Sequence, residues 1–381
     1  MSIDAEPRTA RQATASTSAP GTPQTLSTGP LDLETGGRLP QVELAFQTWG
    51  TPTPDGSNAV LILHALTGDA HVADGPDDHD GWWNGLVGPG ATIDTDRFFV
   101  VAPAALGGCS GTTGPASPAP DGAPWGSRFP FVTIRDMVEL ESRLLDHLGL
   151  TEWHTVLGGS MGGARALEWA ASRPESVRRC VVIAACAAST AEQIALSQAQ
   201  IAAIRLDPAF AGGDYYGIPG GGPVAGLGLA RRLAHLSYRS EPELQYRFGR
   251  QAQGAEAPLG ASDREERGRY AVESYLDHQA GKLVGRFDAN SYLTITEALM
   301  SHDVGRGRGG VAAALGGLDG VEFLVAAVDS DRLYFPEQSE AIAQALPGQV
   351  EVDIISSPIG HDGFLTDILQ LEQALRTRIF V

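Results

Sequence analysis

The stretch His154-Thr-Val-Leu-Gly-Gly-Ser-Met-Gly-Gly163 decides the fold, because it turns an apolar strand directly into an alanine-rich helix. It contains the pattern G-x-S-x-G, the layout of a nucleophile elbow, which holds Ser160 at the tip of a strained strand-to-helix turn. Gly158 and Gly162 flank the serine where a Cβ would clash in so tight a bend. The helix that follows, expected from Met161 to about Ser172, would point its N-terminal amides at a developing oxyanion.

Apolar runs and helical patterns alternate on both sides of this elbow. Apolar residues repeat at helical spacing between Met137 and Leu148, and Thr133 with Asp136 forms a capping-box-like pair at the start of that helix. Strands alternating with helices predict an α/β fold with a mostly parallel sheet. Antiparallel strands are expected early in the chain, around 42–46, and apolar runs typical of buried strands occur at 59–63, 98–101, 180–185, 322–328 and 350–355.

The rhythm of strands and helices divides the chain into parts. Residues 1–28 are rich in Ser, Thr, Ala and Pro and lack an apolar segment, which predicts a disordered tail. Residues 29–188 predict the first part of an α/β core. Residues 189–305 show helical patterns and no convincing strand, which predicts a helical cap, or lid, inserted between two core strands. Residues 306–381 return to strands and complete the core.

Charge and cysteine content exclude several classes of partner. The net charge of −19 argues against binding to nucleic acid or to an anionic membrane surface. An anionic cosubstrate would therefore need a local basic pocket. No stretch is long and apolar enough to span a bilayer. The three cysteines, Cys109, Cys180 and Cys186, show no metal-binding spacing and suit a reducing cytoplasm.

A serine nucleophile needs a histidine base that is oriented by a carboxylate. In a fold with this elbow the acid and the histidine follow late strands, in the order Ser, Asp or Glu, His. His361 follows the last predicted strand and is the expected base. Asp329 and Asp331 both follow the strand before it, and the pattern alone does not separate them.

The oxyanion of an acyl-transfer reaction is normally held by two backbone amides. One comes from the residue after the nucleophile, here Met161. The other comes from a loop after an early strand, and the run His64-Ala-Leu-Thr-Gly-Asp69 is placed to supply it through the amide of Leu66. His64 precedes this turn, so we interpret it as a packing residue rather than as a base.

Short runs spread from about residue 31 to the C-terminus carry a further signal. They are 64–69, 106–115, 126–130, 133–137, 158–163, 166–170, 230–232, 238–240, 272–276, 286–293, 331–333 and 360–365. Together these runs resemble the homoserine O-acetyltransferase family of the α/β-hydrolase superfamily. One departure is visible, because Ala104-Ala105 stands where Asn-Val is expected before the run Leu106-Gly-Gly-Cys109.

The resemblance implies a role for each matching residue. Ser160 is the nucleophile, His361 the base and Asp331 the orienting acid. The substrate residues implied are Arg231 for the carboxylate, Tyr238 in support of it and Asp362 for the ammonium group. A cation and an anion held apart by a rigid site would fix both ends of a zwitterionic amino acid. Arg231 and Tyr238, seven residues apart, would share one face of a helix.

The resemblance also implies a reaction and an assembly. Acetyl-CoA is the expected cosubstrate, and the acetyl group would pass through Ser160 to the hydroxyl of L-homoserine, a step of methionine biosynthesis. No metal and no bound cofactor is expected, and the partners are small molecules. The cap would exclude water from the acyl-serine. The family commonly forms homodimers, and the cap helices offer apolar surface for pairing.

Four alternatives stay open at this point. The same triad serves an esterase or lactonase, although such an enzyme has no use for the charge pair Arg231 and Asp362. A non-catalytic binding module could keep the fold. The donor could be succinyl-CoA, if Arg232 or Arg239 meets the extra carboxylate. The acceptor could be serine, since one methylene changes binding by only about 1–3 kcal/mol.

Overall fold

A sheet of eight strands forms the centre of the core. The structure is a computed structural model, and it describes residues 18–76, 80–260, 263 and 265–381. In spatial order the strands run β1-β2-β4-β3-β5-β6-β7-β8. Their bounds are β1 (Gln24–Ser27), β2 (Glu43–Trp49), β3 (Ala59–Leu63), β4 (Phe99–Pro103), β5 (Thr155–Gly159), β6 (Arg179–Ile183), β7 (Glu322–Val328) and β8 (Val352–Ile355).

The direction of the strands follows the predicted class. β3 to β8 pair in parallel, whereas β1 pairs antiparallel with β2 and β2 antiparallel with β4. The α/β class, the mostly parallel sheet and the early antiparallel strand are confirmed. Two minor ladders of two-residue strands lie outside this sheet, at Leu31–Asp32 with Arg38–Leu39 and at Val87–Gly88 with Ile93–Asp94.

Helices cover both faces of the sheet. Leu61 and Val156 pack with α1 and α2 on one face, and Ile62 and Leu157 pack with α11 on the other. The predicted capping box of Thr133 and Asp136 is present at the start of α1. The helices are α1 (Ile134–His147), α2 (Met161–Ser172), α3 (Ala191–Arg205), α4 (Val224–Tyr238), α5 (Glu241–Arg247), α6 (Ala271–Val284), α7 (Ala289–Met300), α8 (Val311–Leu315), α9 (Pro336–Ala345), α10 (Gly363–Thr366) and α11 (Leu369–Arg378), with 3-10 turns at Gly126–Arg128, Pro174–Ser176 and Pro208–Gly213.

Helices α3 to α7 are inserted between β6 and β7. Within the insertion α4 packs against both α3 and α6. The two ends of the insertion meet where Ala188 and Asp303 form an isolated antiparallel bridge, and the Val304 amide donates to the Ala187 carbonyl at 2.9 Å. We propose on this basis that 189–305 is a cap on a core made of 29–188 and 306–381.

The predicted disordered tail of residues 1–28 is wrong at its C-terminal end. Residues 1–17 lie outside the described part of the chain, but Gln24–Ser27 forms the edge strand β1. Leu26 pairs with Leu44 of β2 and packs against the core, while its neighbours face outward. One apolar residue, Leu26, provides the buried face of this edge strand. The polar residues around it gave no strand pattern in the sequence. Among the described residues, no helix has the length and apolar character needed to cross a membrane.

Candidate active site

Ser160 lies in the strained turn that its sequence predicts. Its backbone has φ 57° and ψ −124°, and its amide donates to the Ile183 carbonyl at 2.9 Å. A Cβ on Gly162 would lie 2.0 Å from the Leu63 carbonyl oxygen, and one on Gly158 would lie 2.5 Å from the Gly162 carbonyl carbon. Both positions require glycine, because the start of α2 lies so close to the ends of β3 and β5. The turn leaves Ser160 only 6% exposed at the carboxyl edge of the sheet.

His361 and Asp331 form a buried pair after the last two strands of the sheet. The His361 Nδ1 lies 2.6 Å from the Asp331 Oδ2. The other carboxylate oxygen, Oδ1, accepts hydrogen bonds from the amides of Leu333 and Tyr334 at 2.8 and 2.9 Å. These amides fix the carboxylate, and the carboxylate in turn fixes the imidazole. The Nε2 of the imidazole is left available to accept a proton.

Asp329 occupies a different place. Its carboxylate accepts hydrogen bonds from the Ser356 hydroxyl at 2.8 Å and from the Ser357 amide at 3.0 Å. It therefore ties the loop after β7 to the loop after β8 and does not contact the imidazole. The geometry selects Asp331 over Asp329 as the partner of His361.

The surroundings of His361 set its proton affinity. Burial acts to lower the pKa of the imidazole, but the charge and the hydrogen bond of Asp331 outweigh burial and hold the pKa above its ordinary value. The ring of Tyr334 stacks on the imidazole at 5.1 Å with an interplanar angle of 27°. The hydroxyl of Tyr334 interacts with the Ser160 side chain, so this tyrosine contacts both groups.

A cavity of about 220 Å³ brings the predicted residues from core and cap together. Ser160 and His361 line it from the core, and Arg231 and Tyr238 line it from α4. Asp362 lines it from the loop after β8. Leu66 borders this cavity and also a smaller one beside Ser160. Residues far apart in the chain thus share one cavity.

The two amides expected to bind an oxyanion lie at this edge. Met161 is the first residue of α2, and the first amides of a helix have no carbonyl partner within it. Leu66 lies in a turn that is closed by the hydrogen bond from the Gly68 amide to the Ala65 carbonyl, at 2.9 Å. Leu66 therefore borders the cavity that Ser160 lines, and Met161 directly follows Ser160 in the chain.

His64 has a structural role. Its Nε2 accepts a hydrogen bond from the Ala105 amide at 3.0 Å, and its Nδ1 lies 2.7 Å from the Ala65 carbonyl oxygen. Burial lowers its pKa to about 3, so the ring is neutral. The contact with Ala105 is made by the backbone, which explains why the departure at Ala104-Ala105 leaves this part of the wall intact.

Arg231 and Tyr238 share one face of α4, as their spacing predicts. The guanidinium carbon of Arg231 lies 5.5 Å from the centre of the Tyr238 ring. Its Nη1 is 3.4 Å from the Thr67 hydroxyl. No carboxylate of the described residues lies within ion-pair distance of Arg231, although it borders a buried cavity. This leaves a cation that is free to bind an anionic ligand.

Asp362 has a partner that sequence reasoning missed. Arg239 Nη2 lies 3.2 Å from the Asp362 Oδ2, and Arg239 Nη1 lies 3.5 Å from Glu243. Burial raises the pKa of Asp362, against the charges of Arg239 and His361. Arg239 stands directly after Tyr238 in a run that already carried the resemblance, but no pattern shows which way an arginine at a helix end points.

Two other residues of the cavity were also missed as site residues, namely Arg286 and Trp82. Arg286 donates from Nη1 to the Thr67 carbonyl at 2.9 Å and belongs to one of the quoted runs, so its position in the sequence was a usable signal. Trp82 lies in a long irregular loop and carries no such signal. In the part of the chain that the structure describes, no cluster of three or more His, Cys, Asp or Glu side chains could hold a metal ion.

The sheet order, the serine on its elbow and the histidine and acid that follow the last strands define the class: an α/β-hydrolase-fold protein. Residues 58–367 match the family model described as the alpha/beta hydrolase fold. A homoserine O-acetyltransferase of Thermobifida fusca is 56% identical over 350 residues, covering 91% of this chain and 90% of the relative. The chain belongs to the homoserine O-acetyltransferase family.

Solved structures agree on the fold and differ in their chemistry. The crystal structure of homoserine O-acetyltransferase from Bacillus anthracis aligns with a TM-score of 0.86 at 26% identity, covering 94% of this chain and 97% of that one. An acetylester hydrolase from Corynebacterium glutamicum aligns with a TM-score of 0.80 at 28% identity, covering 94% and 96%. The fold therefore accommodates both transfer and hydrolysis, and the site must distinguish them.

Proposed function

We propose that this chain transfers an acetyl group from acetyl-CoA to the hydroxyl of L-homoserine through an acyl-Ser160 intermediate. The observation that carries the proposal is the shared cavity, in which a serine–histidine pair meets Arg231 and Asp362. A zwitterionic acceptor needs a cation and an anion, whereas a neutral ester needs neither. The name of the Thermobifida fusca relative supports the same acceptor and acyl group.

The first half-reaction acylates the enzyme. The Ser160 hydroxyl attacks the thioester carbonyl of acetyl-CoA while His361 Nε2 takes its proton. Asp331 stabilises the imidazolium that forms. The amides of Met161 and Leu66 hold the tetrahedral oxyanion. When the intermediate collapses, the carbon–sulfur bond breaks and CoA leaves as a thiol with the proton from His361.

The second half-reaction moves the acetyl group to the acceptor. Homoserine enters with its carboxylate on Arg231 and its ammonium group on Asp362. His361 removes the proton of the homoserine hydroxyl, and this oxygen attacks the acyl carbonyl. The bond to Ser160 then breaks, and His361 returns the proton to the serine. Transfer exceeds hydrolysis because the cap covers the acyl-serine and limits the access of water.

Two arginines of the cap that could bind the extra carboxylate of succinyl-CoA are held in ion pairs. A succinyl group would need a free cation near the acyl carbon. Arg232 is held by Asp277 at 2.8 Å, and Arg239 is held by Glu243 and Asp362. Neither Arg232 nor Arg239 is therefore free to bind a succinyl carboxylate, and the comparison of the two donors below decides between them.

The test is a matrix of acetyl-CoA and succinyl-CoA against homoserine and serine, with release of free CoA as the measurement. We expect rapid release only with acetyl-CoA and homoserine together, and O-acetylhomoserine as the product. The variant Ser160→Ala should lose this release. Release of CoA at the same rate without any amino acid would instead assign the site to hydrolysis, the activity of the Corynebacterium glutamicum neighbour.

We also propose that the chain forms a homodimer through its cap. Apolar side chains on α3 and α4 are exposed, including Ile194, Leu229 and Leu236 at 38%, 47% and 39%. Leu196 and Leu233 line an open groove of about 530 Å³ beside them. Exposed apolar side chains of this kind favour contact with a second copy of the chain. Light scattering on the native chain should give twice the monomer mass, and Leu236→Glu should reduce it to that of a monomer.

A further inference from the structure

A wide cleft of about 810 Å³ adjoins the active-site cavity. Its core side is formed by the middle of β2 and by residues 67–71, and its cap side by Lys282 and Arg286. The cleft and the cavity share four lining residues, Thr67, Gly68, Trp82 and Arg286. A ligand lying in the cleft can therefore extend past this junction to Ser160.

The cap side of this cleft is positively charged. Lys282 is the single lysine in a sequence of 381 residues with a net charge of −19. It stands one helical turn before Arg286 at the end of α6, and like charges at this spacing repel each other. Arg231 is close enough that its charge, together with the larger effect of burial, lowers the pKa of Arg286. These three cations run from the cleft to the active-site cavity.

The cations lack compensating partners. Among the described residues, no carboxylate lies within ion-pair distance of Lys282, Arg286 or Arg231. Asp69 and Asp80 also line the cleft, and Asp69 accepts a hydrogen bond from the His71 amide at 2.9 Å. The two carboxylates lie on the core side and repel an anionic ligand. Such a ligand is therefore stabilised on the cap side of the cleft, beside Lys282 and Arg286.

We propose that this cleft binds the phosphate-bearing nucleotide end of the acyl-CoA donor, with Lys282 and Arg286 as its phosphate ligands. This inference rests on the proposed function. The ammonium group of Lys282 offers three donors, and the guanidinium of Arg286 offers a planar fork that matches phosphate oxygens. The pantetheine arm then passes Thr67 and Gly68 and delivers the thioester to Ser160. The cleft supplies the local basic pocket that so acidic a chain needs for an anionic cosubstrate.

The first experiment compares acetyl-CoA with the acetyl thioester of pantetheine, which lacks the nucleotide and its phosphates. In Lys282→Gln we expect KM for acetyl-CoA to rise about tenfold, the loss of one charge-assisted contact, with kcat within about twofold. Kinetics with acetyl-pantetheine should not change. Lys282→Arg should restore most of the affinity for acetyl-CoA.

Arg376→Gln is the matched control. It removes the same charge from an exposed position on α11, outside the cleft, and should leave both KM values unchanged. Added salt should raise KM for acetyl-CoA in the native chain more steeply than in Lys282→Gln, because salt screens the phosphate contact.

The second experiment uses the single lysine as a reporter. An amine-reactive ester should label Lys282 in the free enzyme, and 3′-phosphoadenosine 5′-phosphate should protect it, as measured by mass spectrometry of its peptide. Labelling of the chain's α-amino group provides the internal reference and should not change.

The outcomes separate the inference from the proposed function. If the native chain does not acetylate homoserine from acetyl-CoA, the proposed function fails. If it does, but Lys282→Gln and Arg376→Gln share one KM for acetyl-CoA, the inference alone is overturned. It is also overturned if Lys282→Gln raises KM equally for both thioesters, since the lysine would then support the shape of the cleft and not bind phosphate.

Discussion

The core edge and the inner face of the cap contribute to one cavity by different means. On the core edge Ser160, His361 and Asp331 are each at most 6% exposed. Backbone hydrogen bonds at strand ends hold Ser160 and Asp331, and the Asp331 carboxylate holds His361. On the cap face Arg231 and Arg286 are long side chains that reach across to the core at Thr67. The rigid edge suits bond-making chemistry, while the cap suits recognition of charged ligands, so the two functions can be broken separately.

The largest effect is expected for the acid of the core edge. Asp331→Asn keeps the shape of the side chain but removes the charge that stabilises the imidazolium and orients His361. We expect kcat to fall by about 10⁴-fold. Steady-state release of CoA in the presence of homoserine measures this loss.

Asp329→Asn is the matched control two residues away. Asp329 ties Ser356 and Ser357 together, so its loss should lower the melting temperature and change kcat by less than about tenfold. Equal losses of kcat in the two variants would contradict the assignment of Asp331 as the orienting acid.

The core edge was predictable because strand order decides it. Ser160 and His361 were identified from the elbow and from the last strand, since the carboxyl ends of parallel strands meet at one edge. The choice between Asp331 and Asp329 was not predictable from pattern alone. It depends on which loop amides each carboxylate meets, and in this chain the amides of Leu333 and Tyr334 decide it.

The affinity for homoserine is expected to fall by about 10²-fold when Arg231, a cation of the cap with no ion-pair partner among the described residues, is removed. Arg231→Gln should raise KM for homoserine by this factor, equivalent to about 3 kcal/mol, because the substrate carboxylate loses its partner. A single turnover with saturating acetyl-CoA and no acceptor should release CoA at the native rate. That split would show that the cap acts on the acceptor and not on the chemistry.

Arg232→Gln is the neighbouring control on the same helix. Arg232 pairs with Asp277, and both side chains are partly exposed, so the variant should change KM for homoserine by less than about twofold. A rise in KM as large as that of Arg231→Gln would mean that the cap as a whole, and not one cation, determines affinity.

Little of this cap geometry could be predicted from the sequence. The shared helix face of Arg231 and Tyr238 followed from their spacing, since helical periodicity is local. The ion pair of Arg239 with Asp362 joins the end of α4 to the loop after β8, and no local pattern encodes such a contact. The edge strand Gln24–Ser27 was missed for the same reason, because its partner Glu43–Trp49 makes it a strand.

The pH dependence of acylation tests the core edge separately from the cap, since it depends on the protonation of His361. Asp331 holds the pKa of His361 above 6.5, and His361 must be neutral to act as a base. The value of kcat/KM for acetyl-CoA should therefore fall about tenfold per pH unit below a midpoint that lies above 6.5. In Asp331→Asn the lowering effect of burial remains and of the raising charges only Asp362 is left, so the midpoint should move down. An unshifted midpoint would show that another group controls acylation.

The smallest effect on the rate of acylation is expected when the hydroxyl of Tyr334 is removed. Tyr334→Phe keeps the ring that stacks on His361 at 5.1 Å and removes only the hydroxyl that interacts with Ser160. We expect the rate of acylation to change by about two- to fivefold, since one neutral hydrogen bond contributes about 1 kcal/mol. KM for homoserine should stay constant, because the acceptor is held by Arg231 and Asp362 and not by Tyr334. A change confined to that KM would place Tyr334 among the recognition residues and move the boundary between the two regions.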